Sequence, residues 1–188
     1  MPGAASLPNW DRLFDFAVGQ EGHFTTEQAA LAGYSPQLLQ KYLKNGRITR
    51  VRRGVYRIVH FPAGEHEDLA ALWLWSEQQG IFSHETALML HQLSDVLPRK
   101  VHLTLPAAWS RRRLRVPKGV VVHHADLAKD EQVLVGAIPV TAPLRTLLDC
   151  AEAHVSPELM AVAVRQARAR GMIQRNDLKA IRARERAA

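Results

Sequence analysis

The sequence predicts an α+β chain in two parts, a first over residues 1–62 and a second over 63–188. Three observations carry that reading. The first part spells three short helical patterns followed by two short strand patterns. The second part runs through strands and helices and closes on helices, the order of an α+β or α/β domain. Between Gln28 and Gly64 the chain also holds no Asp or Glu, although five arginines lie between Arg47 and Arg57. Soluble surfaces ordinarily intersperse both signs, so an acid-free segment asks for a cause.

The elements of the first part follow from spacing and end signals. Trp10, Leu13, Phe14 and Ala17 recur at helical spacing and predict a first amphipathic helix that ends before Gly22. Thr25 or Thr26 caps a second helix whose opening turn holds Glu27 and Gln28. Gly33 suits the tight turn after it. Ser35 followed by Pro36 starts a third, a capping hydroxyl and then proline at the first helical position. Leu38, Leu39, Tyr42 and Leu43 mark its buried face. Gln37, Gln40, Lys41 and Lys44 are left outside, and Gly46 closes it. Ile48–Val51 and Val55–Val59 alternate as two strands joined through "RRG", with Gly54 at the position that needs a positive φ. Val51, Val55, Tyr56 and Ile58 are the expected inward-facing residues.

A helix, a helix–turn–helix and a two-stranded hairpin together make the plan of a winged helix. In that plan the second helix of the pair enters the major groove of DNA. Gln37 and Gln40 suit adenine edges, and lysine or arginine suits guanine. Arg47, Arg50, Arg52 and Arg53 lie beside Lys41 and Lys44, where an acid would repel the phosphate chain. Five to seven neutralised phosphates would give a log–log salt slope of roughly −4.5 to −6.

The second part opens after a linker, "FPAGEH". "EDLAALWLWSEQQG" predicts an amphipathic helix, and Ser83 caps another over "HETALMLHQLSD". "KVHLTLP" and "GVVVHHA" read as strands, with "AAWSRRRLRVPK" as the loop between them. "QVLVGAIPV" reads as a hairpin around Gly136. Three helices follow, over "APLRTLLDCAEAH", "SPELMAVAVRQARARG" and "QRNDLKAIRARERAA". The loop holds a second basic patch, Arg111, Arg112, Arg113, Arg115 and Lys118, suited to a supporting DNA contact or an acidic protein surface.

The formal net charge of +7 favours anionic partners. A single cysteine, Cys150, excludes an internal disulfide and fits a reducing, cytoplasmic compartment. The first residues have no basic n-region and apolar core, and no apolar run reaches the length of a membrane span. Nine histidines invite a metal, but His123 and His124 are adjacent on a strand and face opposite ways. His84 and His91 share a helix without the His-x-x-x-His spacing of a ligand pair. The expectation is therefore no metal and no cofactor. Cys150 reads as a small core residue and Ser83 as a cap. Asp177-Leu178-Lys179 echoes half of a nuclease site, without a strand-borne acid to complete it. The expectation is no catalytic residue.

"FTTEQAALAGYSPQLLQKYLKNGRITRVRRGVYRI" resembles the N-terminal winged helix of AbiEi-type antitoxins from bacterial abortive-infection systems. "FSHETALMLHQLSDVLPRKVHLTLP" and "IPVTAPLRTLLDCA" resemble the domain that follows it there. The likeness runs from about Gly22 to Ile173. Its most specific parts are the Thr-Thr-x-Gln-Ala-Ala turn and the Arg-Arg-Gly-Val-Tyr wing. Related bacterial proteins append a restriction-endonuclease-like domain, and its absence from this sequence favours an antitoxin over a nuclease. The resemblance implies a repressor that binds inverted repeats in its own promoter. It also implies a partner, an AbiEii-type nucleotidyltransferase toxin, counteracted mainly through the C-terminal domain. By position, the DNA role falls on Thr25, Thr26, Ser35, Gln37, Gln40, Lys41, Lys44, Arg47, Arg50, Arg52 and Arg53. A DNA-targeted nuclease and a stand-alone transcription factor are the alternatives.

Overall fold

A computed structural model describes residues 7–95 and 97–187. The chain is α+β, with helices around two small sheets. It divides into two compact units between Gln78 and Gln79.

The first unit runs α1 (Trp10–Val18), β1 (His23–Thr25), α2 (Thr26–Leu31), α3 (Pro36–Lys44), β2 (Ile48–Arg52), β3 (Val55–Ile58) and α4 (Glu67–Trp75). Its sheet has the order β1-β3-β2, antiparallel throughout. The sequence signals the caps Thr25 and Ser35, and the structure adds Asn9. Asn9 accepts from the Arg12 amide at 2.9 Å, and Thr25 and Gln28 close a reciprocal capping box at the start of α2. Each satisfies amide donors that a helix start leaves without a partner. One core holds Leu13 and Ala17 of α1, Phe24 of β1, Ala29 of α2, Leu39 of α3, and Ile48, Tyr56 and Ile58 of the hairpin.

β1 was not anticipated, being only three residues long. It exists because His23, Phe24 and Thr25 complete the edge of the hairpin, pairing with Arg57, Tyr56 and Val55. The helix over "EDLAALWLW" also differs from expectation. It stands with the first unit, not the second, because Ala71 and Leu74 pack on Val55 of the wing with Trp73 beside them. Nor is it amphipathic: Leu69, Ala70, Ala71, Leu72 and Leu74 are all buried, which leaves little of its circumference polar.

The second unit runs β4 (Ile81–Phe82), α5 (His84–Leu90), β5 (Val101–Leu105), β6 (Val120–His124), β7 (Gln132–Val135), β8 (Ile138–Thr141), α6 (Pro143–Glu152), α7 (Pro157–Ala169) and α8 (Asp177–Ala187). Its sheet has the order β6-β5-β4-β8-β7 and is mixed. β5–β6 and β4–β8 are parallel, while β4–β5 and the β7–β8 hairpin are antiparallel. Gly136 turns that hairpin with φ +59°, a conformation L side chains resist. Leu88 of α5 packs with Leu147 and Cys150 of α6, Met160 and Ala163 of α7, and Ile181 of α8. Cys150 is a core residue, and burial pushes its thiol up, which leaves it unreactive.

Buried histidines make stability pH-dependent. His23 is 2% exposed, with Nδ1 3.2 Å from the Gln20 carbonyl. In the second unit, His91 places Nε2 2.7 Å from the Thr141 carbonyl. Burial is the main cause holding both below the usual imidazole range. An unfolded chain therefore takes up protons first as pH falls. The contribution is complete above about pH 6.5 and is lost progressively below it. The urea midpoint should accordingly fall between pH 7.5 and 5.5, and fall less in His23→Gln. Equal midpoints at the two pH values would contradict this.

Candidate nucleic-acid interface

The candidate interface starts with α3. Ser35 caps it, accepting from the Leu38 amide at 3.2 Å, and Pro36 fixes its first residue. Leu39 is buried, and Leu38, Tyr42 and Leu43 pack half-buried on the same core. Tyr42 stacks on Trp10 at 5.9 Å and meets the edge of Tyr34 at 5.5 Å, so aromatic contacts hold α3 against α1. That docking leaves Gln37, Gln40, Lys41 and Lys44 exposed. The first turn of α3 is free of acids, and its last turn holds both lysines.

Arg47 follows directly, its guanidinium 5.3 Å above the Tyr42 ring. The charge is thereby held near the end of α3 without being neutralised. Thr49 and Arg50 continue the exposed run into β2.

The wing departs from the simple alternation expected of it. Arg50 pairs with Tyr56 and Arg52 pairs with Val55, so Val51 is the extra residue of a bulge. Val51 is therefore 38% exposed and is not the buried partner predicted for it. The bulge also separates the arginines. Tyr56 and Val55 are neighbours on one strand and face opposite ways, so Arg50 and Arg52 do too. Arg50 and Arg53 are exposed, whereas Arg52 is half-buried with Nε out of solvent. Gly54 turns the hairpin at φ +77°, as predicted.

Three residues nominated for DNA are engaged within the fold. The Thr25 hydroxyl accepts from the Gln28 amide at 3.1 Å. Thr26 donates its amide to the Gly54 carbonyl at 2.9 Å and its hydroxyl to the same oxygen at 3.4 Å, which fixes the wing turn to α2. Ser35 is the cap of α3. Arg57 is likewise spent on structure. It donates to the Phe61 carbonyl at 3.0 Å and pairs with Glu67 at 3.0 Å, pinning the chain after β3 to α4.

In the second unit the patch Arg111, Arg112, Arg113, Arg115 and Lys118 is exposed on the crossover between β5 and β6. Arg112 lies 3.8 Å over the Trp109 ring. Asp177 of the nuclease-like triplet accepts from the Gln174 amide at 2.7 Å and serves as a helix-start ligand. A different group converges instead: His84, His102 and His123 bring ring nitrogens within 4.8 Å of one another. A search for ligand spacing within one element misses it, since the three come from α5, β5 and β6. Alternation was the available signal: Thr104 pairs with His123 across β5–β6, which puts His102 and His123 on one face.

Residues 11–59 match the sequence profile of a family described as "Transcriptional regulator, AbiEi antitoxin". The likeness lies within the first unit. Its matched span begins in α1, contains α3 and the wing, and ends one residue past β3. A comparison with curated proteins gives no match. Among solved structures, the chain is similar to the RV2827C protein from Mycobacterium tuberculosis, with a TM-score of 0.50 and 17% identity. That alignment covers 83% of this chain and 66% of the other, and it is a likeness of fold. Among the described residues, no helix is long and apolar enough to cross a membrane.

Proposed function

We propose that the chain is a DNA-binding autorepressor and antitoxin of the AbiEi type, acting without catalysis in the cytoplasm. The observation that carries this reading is the acid-free set of exposed cations from α3 into the wing, on a segment matched by a regulator family. DNA binding belongs to residues 1–62, with α4 bracing the wing from behind. Gln37 and Gln40 are the base-reading candidates; Lys41, Lys44, Arg47, Arg50 and Arg53 are the phosphate contacts. Thr25, Thr26 and Ser35 support them from within the fold, while Arg52 is half-buried on the other face of the wing. The partners are double-stranded DNA bearing inverted repeats in the chain's own promoter, and a nucleotidyltransferase toxin counteracted by the second domain.

The first test uses the DNA upstream of the reading frame. The full chain should bind that duplex more tightly than a scrambled one and leave it intact with Mg²⁺. Gln37→Ala or Gln40→Ala should cost about 1–3 kcal/mol on the operator and relax the preference at one base pair. Equal losses on operator and scrambled DNA would reduce the glutamines to backbone contacts. Digestion of the duplex would replace the repressor reading with a nuclease.

A further inference from the structure

His84 begins α5 directly after Ser83, His102 lies on β5, and His123 lies on β6. His102 Nδ1 is 3.0 Å from His123 Nε2. The His84 ring lies over the His123 ring at 3.7 Å between centroids, with planes 15° apart. His102 is a third ring 5.2 Å from His123 and 5.4 Å from His84. Packing apolar atoms would not select this group. Each ring carries a nitrogen lone pair, and His84 and His123 also line a hollow of about 200 Å³ with Thr104, His124, Arg145 and Asp149.

Two further features point the same way. His84 has φ +53°, in the left-handed region that a residue other than glycine occupies at some cost. That backbone turn is what starts α5 with the ring directed onto His123. The nitrogens facing away from the cluster also have partners of the kind that orient metal-bound imidazoles. His84 Nδ1 is 2.9 Å from the Ser83 hydroxyl, which accepts from Thr104 at 2.8 Å. His102 Nε2 is 3.5 Å from the Glu85 carboxylate. The hydroxyl behind His84 and the carboxylate behind His102 fix their tautomers and raise their basicity toward a metal.

We propose that His84 Nε2, His102 Nδ1 and His123 Nε2 form a site for a divalent transition metal of the zinc class, with a fourth position open to the hollow beside Asp149. Three neutral imidazoles with one open position are a ligand set that zinc accepts. Tetrahedral bonds of about 2.0–2.1 Å place ligand atoms about 3.3 Å apart. The His102–His123 separation is within a few tenths of an ångström of that, and a tilt of the His84 ring closes the third edge. The rings are held in the ligating form. Burial, followed by His123 and His102, lowers His84 to about 3, and burial, followed by His102 and His124, lowers His123 to about 4. Burial also lowers His102, opposed by Glu85. Binding would shift the proton shared between His102 and His123 to an outer ring nitrogen, so that all three rings ligate as neutral imidazoles.

The test uses the full chain without a polyhistidine tag, stripped with chelator and titrated with Co²⁺. One equivalent should bind, with the intense visible absorption of four-coordinate cobalt, and Zn²⁺ should displace it. Zn²⁺ should also raise the thermal midpoint. His123→Gln should abolish the visible band and the midpoint shift, while His154→Gln, at an exposed histidine elsewhere in the second unit, should keep both. Should His123→Gln fail to fold, Glu85→Gln serves in its place, since it leaves all three ligands and should weaken affinity about 10–100-fold. Absence of a visible band in the wild-type chain overturns the proposal. So does a band and midpoint shift that survive His123→Gln, or a cobalt affinity unchanged in Glu85→Gln.

Discussion

Replacing Lys41, Lys44, Arg47, Arg50 and Arg53 together by alanine should all but remove the salt dependence of DNA binding. These five side chains are exposed and have no acid among them. If each neutralises one phosphate, the log–log slope of the wild-type chain is about −4.5 from them alone. That slope predicts a loss of roughly 500-fold in affinity between 50 and 200 mM salt. The variant should be weak and nearly flat over the same range, on operator and random duplex alike. The fold should persist, because Leu39, Val55, Tyr56 and Ile58 are buried and untouched. The Arg47–Tyr42 contact is lost, which costs about 0.5–1 kcal/mol, together with an exposed hydrogen bond from Arg50 Nε to the Arg52 carbonyl. Arg52→Ala alone should alter the slope by less than Arg50→Ala or Arg53→Ala, since the bulge turns Arg52 to the other face. Fluorescence anisotropy at four salt concentrations measures all of this. A slope unchanged in the fivefold variant would remove α3 and the wing as the DNA face. On the proposed autorepressor and antitoxin reading, the same variant should lose promoter repression in cells yet still rescue growth against a co-expressed nucleotidyltransferase toxin.

The parts of this interface that were legible are those set by local chemistry. Ser35-Pro36 marks the start of α3 because a hydroxyl acceptor and a missing amide solve the same local problem. Gly54 marks the wing turn because only glycine takes its φ without strain. The inner and outer faces of α3 follow from a period of about 3.6 residues. The wing's faces were harder. A bulge shifts the alternation by one residue, and nothing within "RITRVRRGV" distinguishes a bulged strand from a regular one. Val51 was consequently placed inside and Arg52 outside, the reverse of what pairing with Val55 dictates.

Nonlocal packing explains the other differences. "HFT" is too short to declare itself a strand and becomes one by docking on β3. α4 carries apolar residues nearly all round, and its sequence does not say which unit it will cover. Val55, at the start of β3, decides that by offering an apolar surface behind the wing. The histidine cluster illustrates the same limit. His84, His102 and His123 meet because β5 and β6 are parallel neighbours and α5 starts beside them, an arrangement no spacing rule encodes.

Phe24→Ala should be the most destabilising substitution in the first unit. Phe24 is fully buried at the centre of β1, and its ring stacks on Tyr56 at 5.7 Å. Removing a buried phenyl costs about 3–5 kcal/mol, from lost burial and from the cavity left behind. Small domains are stable by only about 5–15 kcal/mol, so much of the population could unfold at modest urea. β1 is held to the sheet by β3 alone, which leaves no second strand to retain it. Trp10 reports the change, because its stack on Tyr42 ties its fluorescence to the same core. Phe14, 40% exposed on α1, is the control, and Phe14→Ala should cost under about 1.5 kcal/mol. The comparison with the charge variant is the decisive part. Phe24→Ala should lose DNA binding in step with its falling urea midpoint and regain it when cooling or osmolyte restores the fold. The fivefold charge variant should lose binding at a nearly unchanged midpoint. If Phe24→Ala kept the wild-type midpoint, the three-residue strand would not anchor the core as drawn here.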